Sequence, residues 1–195
     1  MLDVSKLVLE RYFQAVFQPL DIALSAGQLL FVTGDNGSGK TTLLRLLAGI
    51  IQPSSGTVQN SADRIAWLGH ALAIKEDLSS LENLHFVRDF YGPTAVTVEQ
   101  ALQLTGLNRV ALQPARTLSA GQRKRCALAR LLLQSAPLWL LDEPYSNLDQ
   151  AGIELVDTLL LQHIHNGGSA VVATHGEHRP DIPHQELAVI AGFVH

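Results

Sequence analysis

Eight residues constrain this chain more than any others. Gly34-Asp35-Asn36-Gly37-Ser38-Gly39-Lys40-Thr41 follows an apolar run over 29–33 and leads into an apolar helical pattern over 40–48. That spacing, between a strand and a helix, is the pattern of a phosphate-binding loop. Glycines let the backbone fold into a nest of N–H donors, and the helix start adds positive potential. Lys40 reaches the β and γ phosphates, the Thr41 hydroxyl suits Mg²⁺, and Thr42 ends the stretch from Gly34 that grips the triphosphate. The expected ligand is a nucleoside triphosphate.

Around this loop, short β-type runs alternate with helical patterns: 29–33, 40–48 and 65–68, then 138–141, a helix near 151–165, and 170–174. Such alternation predicts an α/β fold with a mostly parallel central sheet. Shorter runs at 7–9, 21–24 and 56–59 suggest an antiparallel side sheet. Between 80 and 134 the pattern is helical, with a capping box at Thr97-Val98-Glu99-Gln100, so a helical subdomain inserted over about 75–134 is expected. The length of 195 residues, 47% hydrophobic, suits one domain with a substantial core.

Two further segments carry chemistry. Residues 137–144 form an apolar strand ending in Asp142 and Glu143: the first suits Mg²⁺, and the second can polarise an attacking water as general base. Leu118-Ser119-Ala120-Gly121-Gln122 opens a long helix, with Ser119 as N-cap and Gln122 at N3. A hydroxyl, a glycine amide and a helix dipole there make a second anion site. One phosphate loop per chain leaves that site unowned unless two chains pair head to tail.

Residues 118–122, set between matching Walker A and Walker B segments, resemble the signature of the ABC (ATP-binding cassette) family, and the resemblance covers nearly the whole chain. It implies the P-loop NTPase ABC ATPase fold, ATP and Mg²⁺ as ligands, and a homodimer in which Leu118, Ser119, Ala120, Gly121 and Gln122 cover the neighbour's ATP. Ser146-Asn147-Leu148-Asp149 resembles the D-loop, placing Asp149 at the same interface, and His175 resembles the switch histidine that contacts the γ-phosphate. Tyr12 or Phe13 would stack on adenine. His70 stands where the wider family carries a glutamine touching Mg²⁺; imidazole is a poor ligand for that ion, so His70 is expected to reach the metal through water or to work in coupling rather than to ligate it.

With Trp67-Leu68-Gly69-His70, Ile74-Lys75, Leu78 and Leu81-Glu82-Asn83-Leu84-His85-Phe86, the chain is similar to the haem-exporter ATP-binding family of bacterial cytochrome c maturation. That implies membrane-spanning partner subunits, an indirect link to a periplasmic haem chaperone, and a dock for the partner near 75–91. An exporter of lipid, drug or peptide is the alternative. A soluble, non-transport ABC protein is disfavoured, because twin cassettes and coiled insertions are missing.

Charge and composition narrow the setting. The net charge of -4 has no acidic or basic block, and the densest basic run, Arg123-Lys124-Arg125, is too short for a nucleic-acid face. The single cysteine, Cys126, suits a reducing compartment. No leader or span of ~18 apolar residues is visible. A peripheral location on the cytoplasmic side of the inner membrane is therefore expected. His163, His165, His175, His178, His184 and His195 crowd the last third, but no Cys-x-x-Cys-His exists, and these are read as scattered solvated side chains rather than haem ligands.

Overall fold

Apolar runs with no polar alternation need cover on both faces, and the chain supplies it. The computed structural model describes residues 1–192, so His195 lies outside the described residues. In order, the chain runs through β1 (Leu2–Val8), β2 (Glu10–Arg11), β3 (Gln14–Ala15), β4 (Leu20–Leu24), β5 (Leu29–Thr33), α1 (Lys40–Leu47), β6 (Ser55–Asn60), β7 (Ile65–Leu68), α2 (Ser80–Tyr91), α3 (Val98–Leu104), α4 (Ala120–Leu132), β8 (Leu138–Asp142), α5 (Gln150–His165), β9 (Ser169–Ala173) and β10 (Gln185–Ala188).

Strands β8 and β9 are buried at every residue, and β5 at all but Thr33. They lie inside a five-stranded sheet of order β10-β5-β9-β8-β7, paired in parallel throughout. Strands β1 and β4 instead alternate buried and exposed residues, and with β6 they form a three-stranded antiparallel sheet that keeps one face wet. In the parallel sheet Val32 lies beside Ala173, and Ala173 beside Asp142. Adjacent strands therefore end level, and the residues that follow them emerge at one edge.

Side chains alternate across β5: Leu30 and Val32 join α1 and the side sheet in one core, while Leu29 and Phe31 join α4 and α5 in another. A third cluster packs Leu84 and Val87 of α2 against Ala101 and Leu102 of α3 and Cys126, Ala129 and Leu133 from the α4 end. α4 thus has two apolar faces, since Ala127, Leu128 and Leu131 lean on the sheet. Capping boxes start α2 (Ser79/Glu82), α3 (Thr97/Gln100) and α4 (Ser119/Gln122), the last two at the residues the sequence singles out. The buried Asn83 amide donates to the carbonyls of Lys75, Leu78 and Ser79, fixing the turn that enters α2.

Three features differ from the sequence reading. β1 begins at Leu2 rather than Leu7, because Leu2 and Val4 also reach the core. β10 is an unpredicted edge strand of four residues, three of them exposed and the first two polar, which carries little strand signal. His163 is not solvated: its ring stacks flat on Trp139, with centroids 4.0 Å apart and planes at 10°, and its Nε2 lies 3.1 Å from the Ser169 carbonyl oxygen. Burial pushes the His163 pKa down, against the upward pull of the Ser169 and Pro137 carbonyls.

Gly168 exists for this packing, because a Cβ there would overlap the imidazole. Gly168→Ala is expected to cost about 1–3 kcal/mol through displaced packing. Thermal melts check it, at roughly 2–4 °C per kcal/mol for a chain of this size.

Candidate functional site

β5 delivers the phosphate loop. Gly34 has φ 142°, and an added Cβ would overlap the Val189 carbonyl oxygen, so the turn after the strand accepts no side chain. Gly39 is the left-handed N-cap of α1 and offers no side-chain cap, which leaves the first-turn N–H groups facing the loop. Lys40 is 7% exposed, and its Nζ donates to the carbonyls of Gly34 at 2.7 Å and Asp35 at 3.0 Å. The Ser38 hydroxyl is buried with no hydrogen-bond partner among the described residues.

β8 and β9 deliver the acids and the histidine. Thr41 Oγ1 donates to Asp142 Oδ2 at 2.8 Å, joining residues far apart in sequence. Glu143, one residue past β8, adopts φ 50°, a left-handed conformation costing a non-glycine residue about 1–3 kcal/mol. Its N–H donates to the Ala173 carbonyl at 2.9 Å, while its own carbonyl accepts from Lys124 Nζ at 2.8 Å. Its carboxylate is gripped from β9's end: Oε1 accepts from the His175 backbone N–H at 3.0 Å and lies 2.7 Å from His175 Nδ1, and Oε2 lies 3.4 Å from the Thr174 hydroxyl.

These groups line one cavity of about 570 Å³. Asn36, Gly37, Gly39, Lys40, Thr41 and Thr42 form its floor, with His70, Asp142, Glu143 and His175 on the walls. Gly34, Asp35 and Ser38 shape the loop without lining the cavity. The β2–β3 hairpin closes the remaining side with Arg11, Tyr12, Gln14 and Val16. Tyr12 and Phe13 form its two-residue turn, with φ 52° and 65°, the backbone that Asn-Gly usually provides. Both rings are exposed, but Tyr12 alone of the two lines the cavity.

Residues 118–122 lie outside this cavity. Leu118 is buried and Ser119 exposed, with its Oγ accepting from the Gln122 N–H at 3.1 Å and its N–H donating to Gln122 Oε1 at 2.9 Å. Ala120 lines an adjoining cavity of about 200 Å³ with His70, Lys124, Asp142 and Glu143. Asp149 caps α5 by accepting from the Gly152 N–H at 2.9 Å, and Arg125 pairs with it at 3.0 Å and lowers its pKa.

No group of three His, Cys, Asp or Glu side chains suited to a metal occurs among the described residues. The oxygen pair of Thr41 and Asp142 fits a hard cation that takes its other ligands from water and phosphate. Sequence reasoning missed Arg11, Gln14, Val16, Thr174 and Lys124. Only Lys124 left a trace there, as part of the basic run 123–125.

Residues 17–146 match the family model described as ABC transporter. The chain is 49% identical over 186 residues to the cytochrome c biogenesis ATP-binding export protein of Xanthomonas axonopodis pv. citri, covering 90% of this chain and 87% of that protein. A second relative under that name, from Cupriavidus metallidurans, is 45% identical over 188 residues, covering 90% and 89%. Among solved structures, a dimeric bacterial ABC transporter cassette superposes with a TM-score of 0.81 at 23% identity, over 90% of this chain and 88% of that one. With the phosphate loop, the paired acids and this fold agreeing with those matches, the chain belongs to the ABC transporter family as one of its ATP-hydrolysing members.

Proposed function

We propose that this chain is the ATPase subunit of an export machine of cytochrome c biogenesis, and that its hydrolysis powers haem export or the release of haem-loaded chaperone. The observation that carries the reading is the convergence of Thr41–Asp142 and Glu143–His175 on one phosphate loop. The names of the relatives supply the pathway. Residues 1–195 act as one nucleotide-binding domain, with the helical part over about 75–134 inserted in it.

The loop and the α1 N-terminus bind the triphosphate, Tyr12 stacks on the base, and the orphan Ser38 hydroxyl is free to meet an anion. Lys40 exchanges the Gly34 and Asp35 carbonyls for β and γ phosphate oxygens. Thr41 and Asp142 would hold Mg²⁺, which neutralises phosphate charge when bound. Glu143 orients a water in line with the γ-phosphate and takes its proton, while His175 and Lys40 stabilise the charge that develops. In the resting geometry His175 holds the Glu143 carboxylate in place before substrate arrives.

The exposed tip at Ser119, together with Asp149, completes the neighbour's site in a head-to-tail homodimer, which explains why it avoids its own cavity. No helix among the described residues is long and apolar enough to cross a membrane. In this reading the chain works with membrane-spanning partner subunits. They dock at the exposed face of α2, where Phe86 and Phe90 stack at 6.4 Å with 59% and 72% exposure. The chain then works peripherally, on the cytoplasmic side.

A complementation experiment tests the pathway. Cells lacking their own copy are expected to recover haem-stained c-type cytochromes with the wild-type chain and to remain without them with Glu143→Gln. Recovery by both would sink the reading. So would co-purification of the wild-type chain with the membrane subunits of a lipid, drug or peptide exporter.

A further inference from the structure

We propose that Lys124 is the positioning residue for the catalytic glutamate, and that it links this chain's own hydrolytic site to the helix tip it lends to a neighbour. The second clause rests on the head-to-tail arrangement proposed above. In sequence, Arg123-Lys124-Arg125 is a short basic run with no evident purpose. In the structure each member turns to a different internal partner. Arg123 Nη1 donates to the Leu118 carbonyl at 2.9 Å, Lys124 Nζ donates to the Glu143 carbonyl at 2.8 Å and lies 3.3 Å from Ser146 Oγ, and Arg125 Nη2 meets Asp149 Oδ1 at 3.0 Å.

Lys124 is 5% exposed, an unusual place for an ammonium group. Burial drives its pKa down, and the negative charges of Asp142 and Glu143 push back. Packing alone would favour an apolar side chain of the same length, since burying a charge is costly unless something recovers that cost. What recovers it here is the backbone of Glu143. That residue sits at φ 50°, and such a conformation persists only where its surroundings over-determine it. The Ala173 carbonyl holds its N–H, and Lys124 with Ser146 Oγ (2.9 Å) holds its carbonyl. Remove Lys124 and the Glu143 carbonyl keeps only the Ser146 hydroxyl and the Ser146 N–H (3.2 Å), neither of them charged, so the strained peptide is held less firmly and the carboxylate is placed less precisely in the cavity.

The same side chain spans two sites. Lys124 stands five residues into the helix capped by Ser119, a rigid distance of about 7.5 Å. A shift of that tip when it meets a neighbour's phosphate is therefore felt at Glu143 in the chain that moved. Arg125 and Asp149 carry the same shift to the start of α5.

Lys124→Met keeps the volume and removes the donors, while Lys124→Arg keeps donors at that position. Hydrolysis is measured against ATP concentration in the full-length chain assembled with its membrane partners, and binding with a fluorescent ATP analogue. For Lys124→Met the expected result is a kcat lower by on the order of 10- to 100-fold, the scale of a misplaced catalytic group. Its KM and analogue affinity stay within about twofold. The ATP dependence is expected to be sigmoidal in the wild type, where two sites close together, and hyperbolic in Lys124→Met, and Lys124→Arg recovers most of kcat. Unchanged kcat in Lys124→Met overturns the proposal. So does a loss that Arg does not recover and that tracks a lower melting temperature and a raised KM. Glu143→Gln separates the two levels: if it is inactive while Lys124→Met turns over normally, this inference alone fails, and if it too turns over normally, the hydrolytic assignment has failed first.

Discussion

Glu143→Gln is expected to lower kcat by about 10²–10⁴-fold, the usual contribution of a positioned general base. The amide keeps the size of the carboxylate, and its one oxygen still accepts from the His175 N–H while its NH2 faces the Thr174 hydroxyl as a donor, so the loop should hold its shape. It loses the ability to take a proton from water. Nucleotide affinity should be unchanged, and ATP should accumulate paired chains, because closure continues without the step that reverses it. Phosphate release and gel filtration with ATP and magnesium check both halves. A variant that hydrolyses at near wild-type rate would show that another group removes the proton.

Lys40→Ala is expected to fail one step earlier. The lysine donates two short hydrogen bonds to loop carbonyls and is nearly buried, so it stands preorganised over the anion site. Losing two charge-assisted hydrogen bonds to phosphate, at about 1.5–3 kcal/mol each, weakens binding by roughly 10²–10⁴-fold. The fold should survive, since the freed carbonyls adjoin an open cavity rather than apolar core. Melting curves discriminate: ATP at 100 times the wild-type Kd should stabilise the wild type by about 2.7 kcal/mol and leave Lys40→Ala almost unmoved. Equal stabilisation of the two would remove Lys40 from the binding site.

Those two residues were legible in the sequence for a physical reason: each belongs to a motif whose demands are local. The glycines at 34, 37 and 39 meet backbone requirements, and Asp142-Glu143 ends an unbroken apolar strand. The strands and caps around them were readable on the same grounds, down to Ser119 with Gln122 and Thr97 with Gln100. What escaped reading depends on neighbours distant in the chain. Lys124 acts on a main-chain carbonyl nineteen residues away, which no pattern of side chains encodes. His163 owes its burial to Trp139 on a strand beneath it. Tyr12 and Phe13 were indistinguishable until the hairpin turn placed Tyr12, and not Phe13, among the residues that line the cavity. β10 gives little strand signal because it is short and its first half, Gln185-Glu186, is polar and exposed.

The strand order has a consequence for how the chain comes into being. β9 is made late, yet it lies between β5 and β8 and separates the strands that carry Thr41's loop and Asp142. A growing polypeptide thus presents a finished loop long before the partner of that loop can be brought alongside, and only insertion of residues 169–173 closes the gap. Such long-range pairing is slow to form. Truncated or half-folded copies therefore cannot consume fuel, because the last central strand to be synthesised is also the one that joins the two halves of the engine.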